Sequence, residues 1–179
     1  MDDKISVLLE EHRALRNEIE QHHVSMRYMT LFNLTASGAI FSYVWLDIGN
    51  SSLNSILLVV PILSAILGSI FFFHSKRMSQ LGLYIRDVIA PKVRQLQKDD
   101  SLLQWEKYVR EKETKNKFYK LISLDLIRIF TFFATSVIAL LFSFSVDNFL
   151  LWLLGLLLTI MLVFLAYYER KAWLGEDEE

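Results

Sequence analysis

The chain has no cysteine among its 179 residues, only two prolines and six glycines. Without cysteine there is no disulfide, no thiolate nucleophile and no zinc–sulfur site. The glycines are scattered, so no glycine-rich loop cradles a phosphate, and neither GxSxG nor HExxH spacing occurs. The histidines at 12, 22, 23 and 74 lack metal-ligand spacing, and the expectation is no metal and no cofactor. Charge is also scarce: 22% of residues are Asp, Glu, Lys or Arg, against 53% hydrophobic and 13% aromatic. That balance is apolar for a soluble domain of this length. The acidic start Met1-Asp2-Asp3-Lys4 leads into an amphipathic stretch, which is not the pattern of a cleavable signal peptide.

What is present is four long apolar stretches. A membrane-spanning helix needs about 20 mostly apolar residues, because hydrocarbon offers no water to satisfy its backbone. Residues 53–75 and Phe149–Tyr168 meet that requirement directly. Residues 125–146 meet it once Asp125 and Arg128 are placed at a membrane surface, and residues 28–46 are diluted by Asn33, Thr35, Ser37, Gly38 and Ser42.

The cations set the expected orientation. Residues 1–28 carry four Lys or Arg and residues 76–120 carry twelve, while the connections 47–52 and 147–148 carry none. Basic residues gather on the cytoplasmic side, so both hairpins point outward and both termini lie inside. The expected fold is an all-α membrane protein with four transmembrane helices in two hairpins, a long N-terminal helix and a helical cytoplasmic middle segment. Its parts are an amphipathic cytoplasmic helix (1–28), a first transmembrane hairpin (29–75), a cytoplasmic helical segment (76–121), a second hairpin (122–168) and an acidic cytoplasmic tail (169–179). The expected location is a bacterial inner membrane.

The first 28 residues carry a heptad seam: Ile5, Leu8, His12, Leu15, Ile19, His22, Met26 and Met29 alternate steps of three and four. Such a seam predicts a long helix packed on another helix and running unbroken into the first span. Packing on the middle segment of the same chain and packing on a neighbouring subunit both fit. Two histidines on a packed seam call for a polar partner. In the middle segment Met78, Leu81, Ile85, Val88, Lys92 and Leu96 keep the same spacing, with Pro91 as a kink or stop. Lys98-Asp99-Asp100-Ser101 reads as a turn, followed by a helix with Leu102, Trp105, Tyr108 and Val109 on one face.

Polar residues inside the spans are the remaining candidates. Thr30, Asn33 and Ser37 share one face of the first span, and Asp125, Arg128, Thr131 and Thr135 one face of the third. Such faces bond to other helices or line a water-filled path, and both readings stand. Ser64 and Gly68 form a small-xxx-small pair suited to close helix contact. The last span, nearly all Leu, Ile, Phe and Trp, is expected to face lipid. A carrier is disfavoured, since there is no mid-membrane charge and no inverted repeat. Any pore would be shared by several copies.

The stretch Arg16-Asn17-Glu18-Ile19-Glu20-Gln21-His22 resembles the loose Arg-polar-x(3–5)-His pattern of HEPN ribonucleases, in which a cation and an imidazole promote attack of an RNA 2′-hydroxyl on phosphate. Together with the small all-helical membrane layout and the basic middle segment, it resembles the small membrane accessory proteins of type VI-B CRISPR loci. The blocks QLGLYIRDVIAP (80–91) and WEKYVREKE (105–113) also resemble bacterial membrane proteins of this layout. The resemblance implies a homo-oligomeric membrane pore that depolarises infected cells beside an RNA-guided RNA nuclease. It also implies that Arg16, Asn17 and His22 hold cytoplasmic helices together rather than cut RNA. The expected partners are further copies of the chain, membrane lipid and, functionally, that nuclease, with no direct nucleic-acid motif. A membrane-tethered HEPN ribonuclease and a membrane adaptor without a pore are the alternatives.

Overall fold

The computed structural model describes residues 2–46, 55–98, 124–144 and 149–175, with side chains over 4–46, 55–98, 129–144 and 149–168. Helix α1 runs from Asp2 to Trp45 without a break. A 3₁₀ turn at Ser55–Leu58 leads into α2 (Val59–Tyr84). A π-turn at Ile85–Ile89 then joins α2 to α3 (Ala90–Gln97). Helices α4 (Leu124–Ser143) and α5 (Phe149–Gly175) complete the described chain, which contains no strand. Two helical segments are long and apolar enough to cross a membrane, Ser55–Gln97 and Phe149–Tyr168, and Ile129–Ser143 is a shorter apolar helix. The turn expected after Lys98, the helix around Trp105 and the connections 47–52 and 147–148 lie outside the described residues.

The chain divides into two compact units, Met1–Ser25 with His74–Ser123, and Met26–Phe73 with Leu124–Glu179.

In the first unit the seam is the packed face of α1. Ile5, Leu8, His12, Leu15, Ile19 and His22 are all half-buried, while Ser6, Val7, Leu9, Arg13, Ala14 and Glu20 are exposed. The facing stripe on α2 begins as expected at Leu81 and Ile85 and then departs from the sequence pattern. Ile89 and Val93 are buried, whereas Val88 is half-buried and Lys92 is exposed. The π-turn is the cause: the Ala90 N–H reaches back five residues to the Ile85 carbonyl, so one extra residue enters the turn and the inward face advances by one. The turn sits immediately before Pro91, whose ring clashes with the carbonyl four residues back and which has no N–H to donate. Widening the turn relieves that clash, so Pro91 neither stops the helix nor sits at its end. The helix ends instead at Lys98, which adopts the left-handed conformation (φ 51°) with its N–H on the Arg94 carbonyl.

In the second unit the core is a set of small and polar residues among large apolar ones. From α1 come Met26, Asn33, Ser37 and Val44, and from α2 Val60, Ser64, Ala65, Gly68 and Phe71. From α4 come Phe132, Thr135, Ser136, Ala139 and Ser143, and from α5 Gly155, Thr159 and Leu162. Pro61 lies in the first turn of α2, where its missing N–H has no intrahelical partner to lose. It is buried and, with Leu140, abuts Gly155. Phe71 meets Phe132 with ring centroids 5.7 Å apart.

Helix α5 packs on α4 and on the 3₁₀ turn along one narrow stripe. Only 17% of its apolar window is buried, against 56% for the window in Ser55–Gln97. Trp152 pins the pair: its indole N–H donates to the Leu140 carbonyl at 2.9 Å, one of the last four carbonyls of α4, which have no backbone N–H partner within the helix.

Two glycine substitutions separate packing from propensity. A Cβ on Gly155 would meet Leu140 Cδ2 at 3.0 Å and Pro61 Cγ at 3.3 Å, whereas one on Gly38 meets nothing within 4 Å. Gly155→Val is expected to destabilise the protein by about 1–3 kcal/mol through overpacking. Gly38→Ala is expected to be neutral or to gain up to about 1 kcal/mol of helix propensity. Reversible unfolding in mixed micelles checks both.

Candidate functional site

The second unit holds a polar triangle at the meeting of α1, α2 and α4. Asn33 Nδ2 donates to Thr135 Oγ1 at 3.1 Å, and Ser64 Oγ donates to Asn33 Oδ1 at 2.8 Å. Ser64 Oγ and Thr135 Oγ1 lie 3.2 Å apart. Thr135 directs its own hydroxyl proton back to the Thr131 and Phe132 carbonyls at 2.9 and 3.1 Å. The proton count is therefore consistent: Ser64 supplies one proton to Asn33, Asn33 one to Thr135, and Thr135 one to its own helix. All three side chains are buried, Asn33 and Ser64 completely. In apolar surroundings a polar group without a partner costs several kcal/mol, which makes the triangle a strong register lock.

Several other hydroxyls of this unit bond to carbonyls of their own helices. Thr30 donates to Met26 at 3.0 Å, Ser136 to Phe132 at 2.9 Å and Thr159 to Gly155 at 2.8 Å. Ser37 differs: it is buried and its Oγ has no hydrogen-bond partner.

The candidates named from sequence thus fall into several groups. Asn33 and Thr135 come together, joined by Ser64, which the sequence marked only as a small contact residue. Thr30 is half-buried and bonded locally, Ser37 is buried one turn beyond Asn33, and Thr131 is half-buried. The side chains of Asp125 and Arg128 lie outside the described residues.

The first unit brings two histidines together where α1 packs on α2. His22 Nδ1 lies 2.8 Å from His74 Nδ1, a hydrogen bond in which one ring donates and the other accepts. This is the polar partner the seam demanded. Nothing in the seam spacing pointed to His74, which is noticeable only as a polar residue ending an apolar stretch. Behind His22, Glu18 Oε1 stands 3.7 Å from Nε2 and 3.6 Å from Arg77 Nε. Further along the same helix pair, Tyr84 donates its hydroxyl to Glu11 at 3.0 Å. That bond and the Glu11 charge hold the Tyr84 phenol above its ordinary value.

Within the Arg16-to-His22 motif, Arg16 is half-buried, Asn17 is exposed and His22 turns inward to His74. Six residues on an α-helix separate Arg16 from His22 by about 9 Å along the axis and roughly 120° around it. The motif therefore does not converge on a single point along its own helix. Among the described residues no group of three or more His, Asp or Glu could hold a metal ion.

Thr135→Val, which keeps shape and removes the hydroxyl, is expected to cost about 1–2 kcal/mol by stranding the Asn33 amide, whereas Thr135→Ser should be close to neutral. A double-mutant cycle between Asn33→Ala and Thr135→Val should return a coupling of about 0.6–1.7 kcal/mol, and a coupling of zero would rule out the bond as a stabilising contact. No protein-family model matches the chain, and neither the curated proteins nor the solved structures contain a match.

Proposed function

We propose that this is a four-span bacterial inner-membrane protein with both termini and the middle segment in the cytoplasm, acting as a non-enzymatic membrane effector. Copies assemble laterally around a shared conductive path, and opening that path depolarises the cell in support of an RNA-guided, RNA-targeting antiphage defence.

The observation that carries the membrane part of this reading is the inverted surface of the second unit. Asn33 and the hydroxyls of Ser37, Ser64, Thr135, Ser136, Ser143 and Thr159 are buried, while Leu31, Phe32, Ile66, Phe73, Leu141, Phe142, Leu150 and Phe164 are exposed. Such a distribution suits hydrocarbon as the surrounding solvent. Spans one and three are the less apolar pair, and their polar residues Asn33 and Thr135 are the ones that satisfy each other, which lowers the cost of placing both in a bilayer. The placement of Lys and Arg supports the orientation.

A shared path needs a surface on which copies meet, and α1 offers one. Thr35, Gly38 and Ser42 form an exposed small and polar stripe at steps of three and four on an otherwise apolar exterior. Thr35 is already bonded to the Leu31 and Phe32 carbonyls at 2.9 and 3.2 Å, so the stripe tolerates an apolar neighbour. The link to an RNA-guided nuclease rests on the resemblance of the Arg16-Asn17-x(4)-His22 stretch. The engagement of His22 with His74 favours a packing role for that stretch over RNA cleavage.

One observation favours the adaptor reading. Asn33, Ser64 and Thr135 spend their polarity on one another, so they are not free to line a path.

Reconstitution in liposomes separates the two. The pore reading expects dye or ion release that falls at least tenfold in Thr35→Leu, together with a single ring mass in nanodiscs. A monomer that never releases dye leaves only the adaptor.

A further inference from the structure

We propose that His22 and His74 form a proton-operated contact: one shared proton holds α1 against α2 near neutral pH, and uptake of a second proton under mildly acidic conditions releases it.

The geometry is that of a shared proton and not of a metal chelate. The two Nδ1 atoms are 2.8 Å apart and the ring centroids 5.0 Å apart, which places the rings nearly end to end along the nitrogen–nitrogen line. Two rings binding one cation at about 2.0–2.1 Å would aim both lone pairs at a point to the side of that line and hold their nitrogens about 3.3 Å apart, farther than here. A single hydrogen between the rings satisfies both nitrogens, whether the pair is neutral or carries one positive charge.

A third protonation state breaks the arrangement. With both rings protonated, two N–H groups face each other, with no acceptor between them and like charges in contact. The pair escapes this only by turning an Nδ1 away from its partner, which ends the contact. Charged groups beside the pair include Glu18 on α1, next to His22, and Arg77 on α2, next to Glu18. Lys76 and His23 lie nearby in sequence and are exposed.

The sign follows from linkage. Because two N–H groups and two like charges would then face each other, the doubly protonated pair is the disfavoured form, so the contact is kept around neutral pH and is lost as acid forces the second proton on. The contact lies within one unit, and its chemistry is independent of whether the protein conducts ions.

The absence of native cysteine makes the test clean. Ala14 and Gln80 are exposed on α1 and α2, so Ala14→Cys with Gln80→Cys accepts a spin-label pair on the full-length protein in nanodiscs. The short-distance population should dominate near pH 7.5 and fall as the pH is lowered to about 4.5, by at most about tenfold per pH unit for one proton. In His74→Asn the response should vanish, and in Glu18→Gln it should persist. A distance unchanged by acid, a response surviving His74→Asn, or one abolished by Glu18→Gln would each overturn the proposal.

The wild-type protein supplies a test free of folding effects. In ¹⁵N-histidine NMR, His22 and His74 should titrate together in two coupled steps. Independent single titrations of His22 and His74 would overturn the proposal equally well.

Discussion

A helix that presents an amide or a hydroxyl to apolar surroundings must supply its partner from another helix or from its own backbone. In the second unit that constraint organises the packing. Asn33 is the largest polar side chain buried there, and its carbonyl and amide ends are met by two different helices, Ser64 from α2 and Thr135 from α4. Sliding any of the three helices by one residue would turn its polar atom away from the other two. Apolar contacts alone discriminate registers weakly, because one Leu-lined groove resembles the next, so the triangle gives the bundle its specific alignment.

The rest of the bundle follows from close approach. Small residues on α4 and α5 let the two backbones come together: Ala139 and Ser143 on one side, Gly155 and Thr159 on the other. Gly68 on α2 takes the end of Leu162 from α5 where a side chain of its own would collide with it. Trp152 then satisfies a helix-end carbonyl of α4 while presenting its ring to Phe144 and Phe149. The outward residues of α5 are almost uniformly large and apolar, so one helix both closes the bundle and forms much of its exterior.

The first unit is built from different chemistry. Its helix pair carries the heptad seam, but the contacts added to it are titratable: His22 with His74, Glu18 with Arg77, and Glu11 with Tyr84. The exposed pairs contribute little individually, because water screens them and long side chains lose entropy on pairing. The half-buried histidine pair is the contact whose strength depends on proton number. The π-turn before Pro91 belongs to the same helix pair and determines which residues of α3 face inward.

Much of this was legible in the sequence because it depends on period and composition. The seam from Ile5 to His22, the unbroken α1, the apolar helices and the small pair Ser64 and Gly68 follow from spacing that any helix must obey. The same spacing failed at Lys92, since a π-turn adds a residue and shifts the inward face in a way that no local apolar pattern signals. Asn33 and Thr135 could be marked as polar faces, but not as partners. They are 102 residues apart, and helix periodicity says which way a side chain points without saying what it meets. For the same reason His74 carried no sign of His22. The sequence by itself determined which faces are apolar and where the cations lie, because those are properties of one helix. Tertiary structure alone decided that the candidate polar residues satisfy one another and that two histidines share a proton, because hydrogen bonds between helices depend on how the helices are aligned.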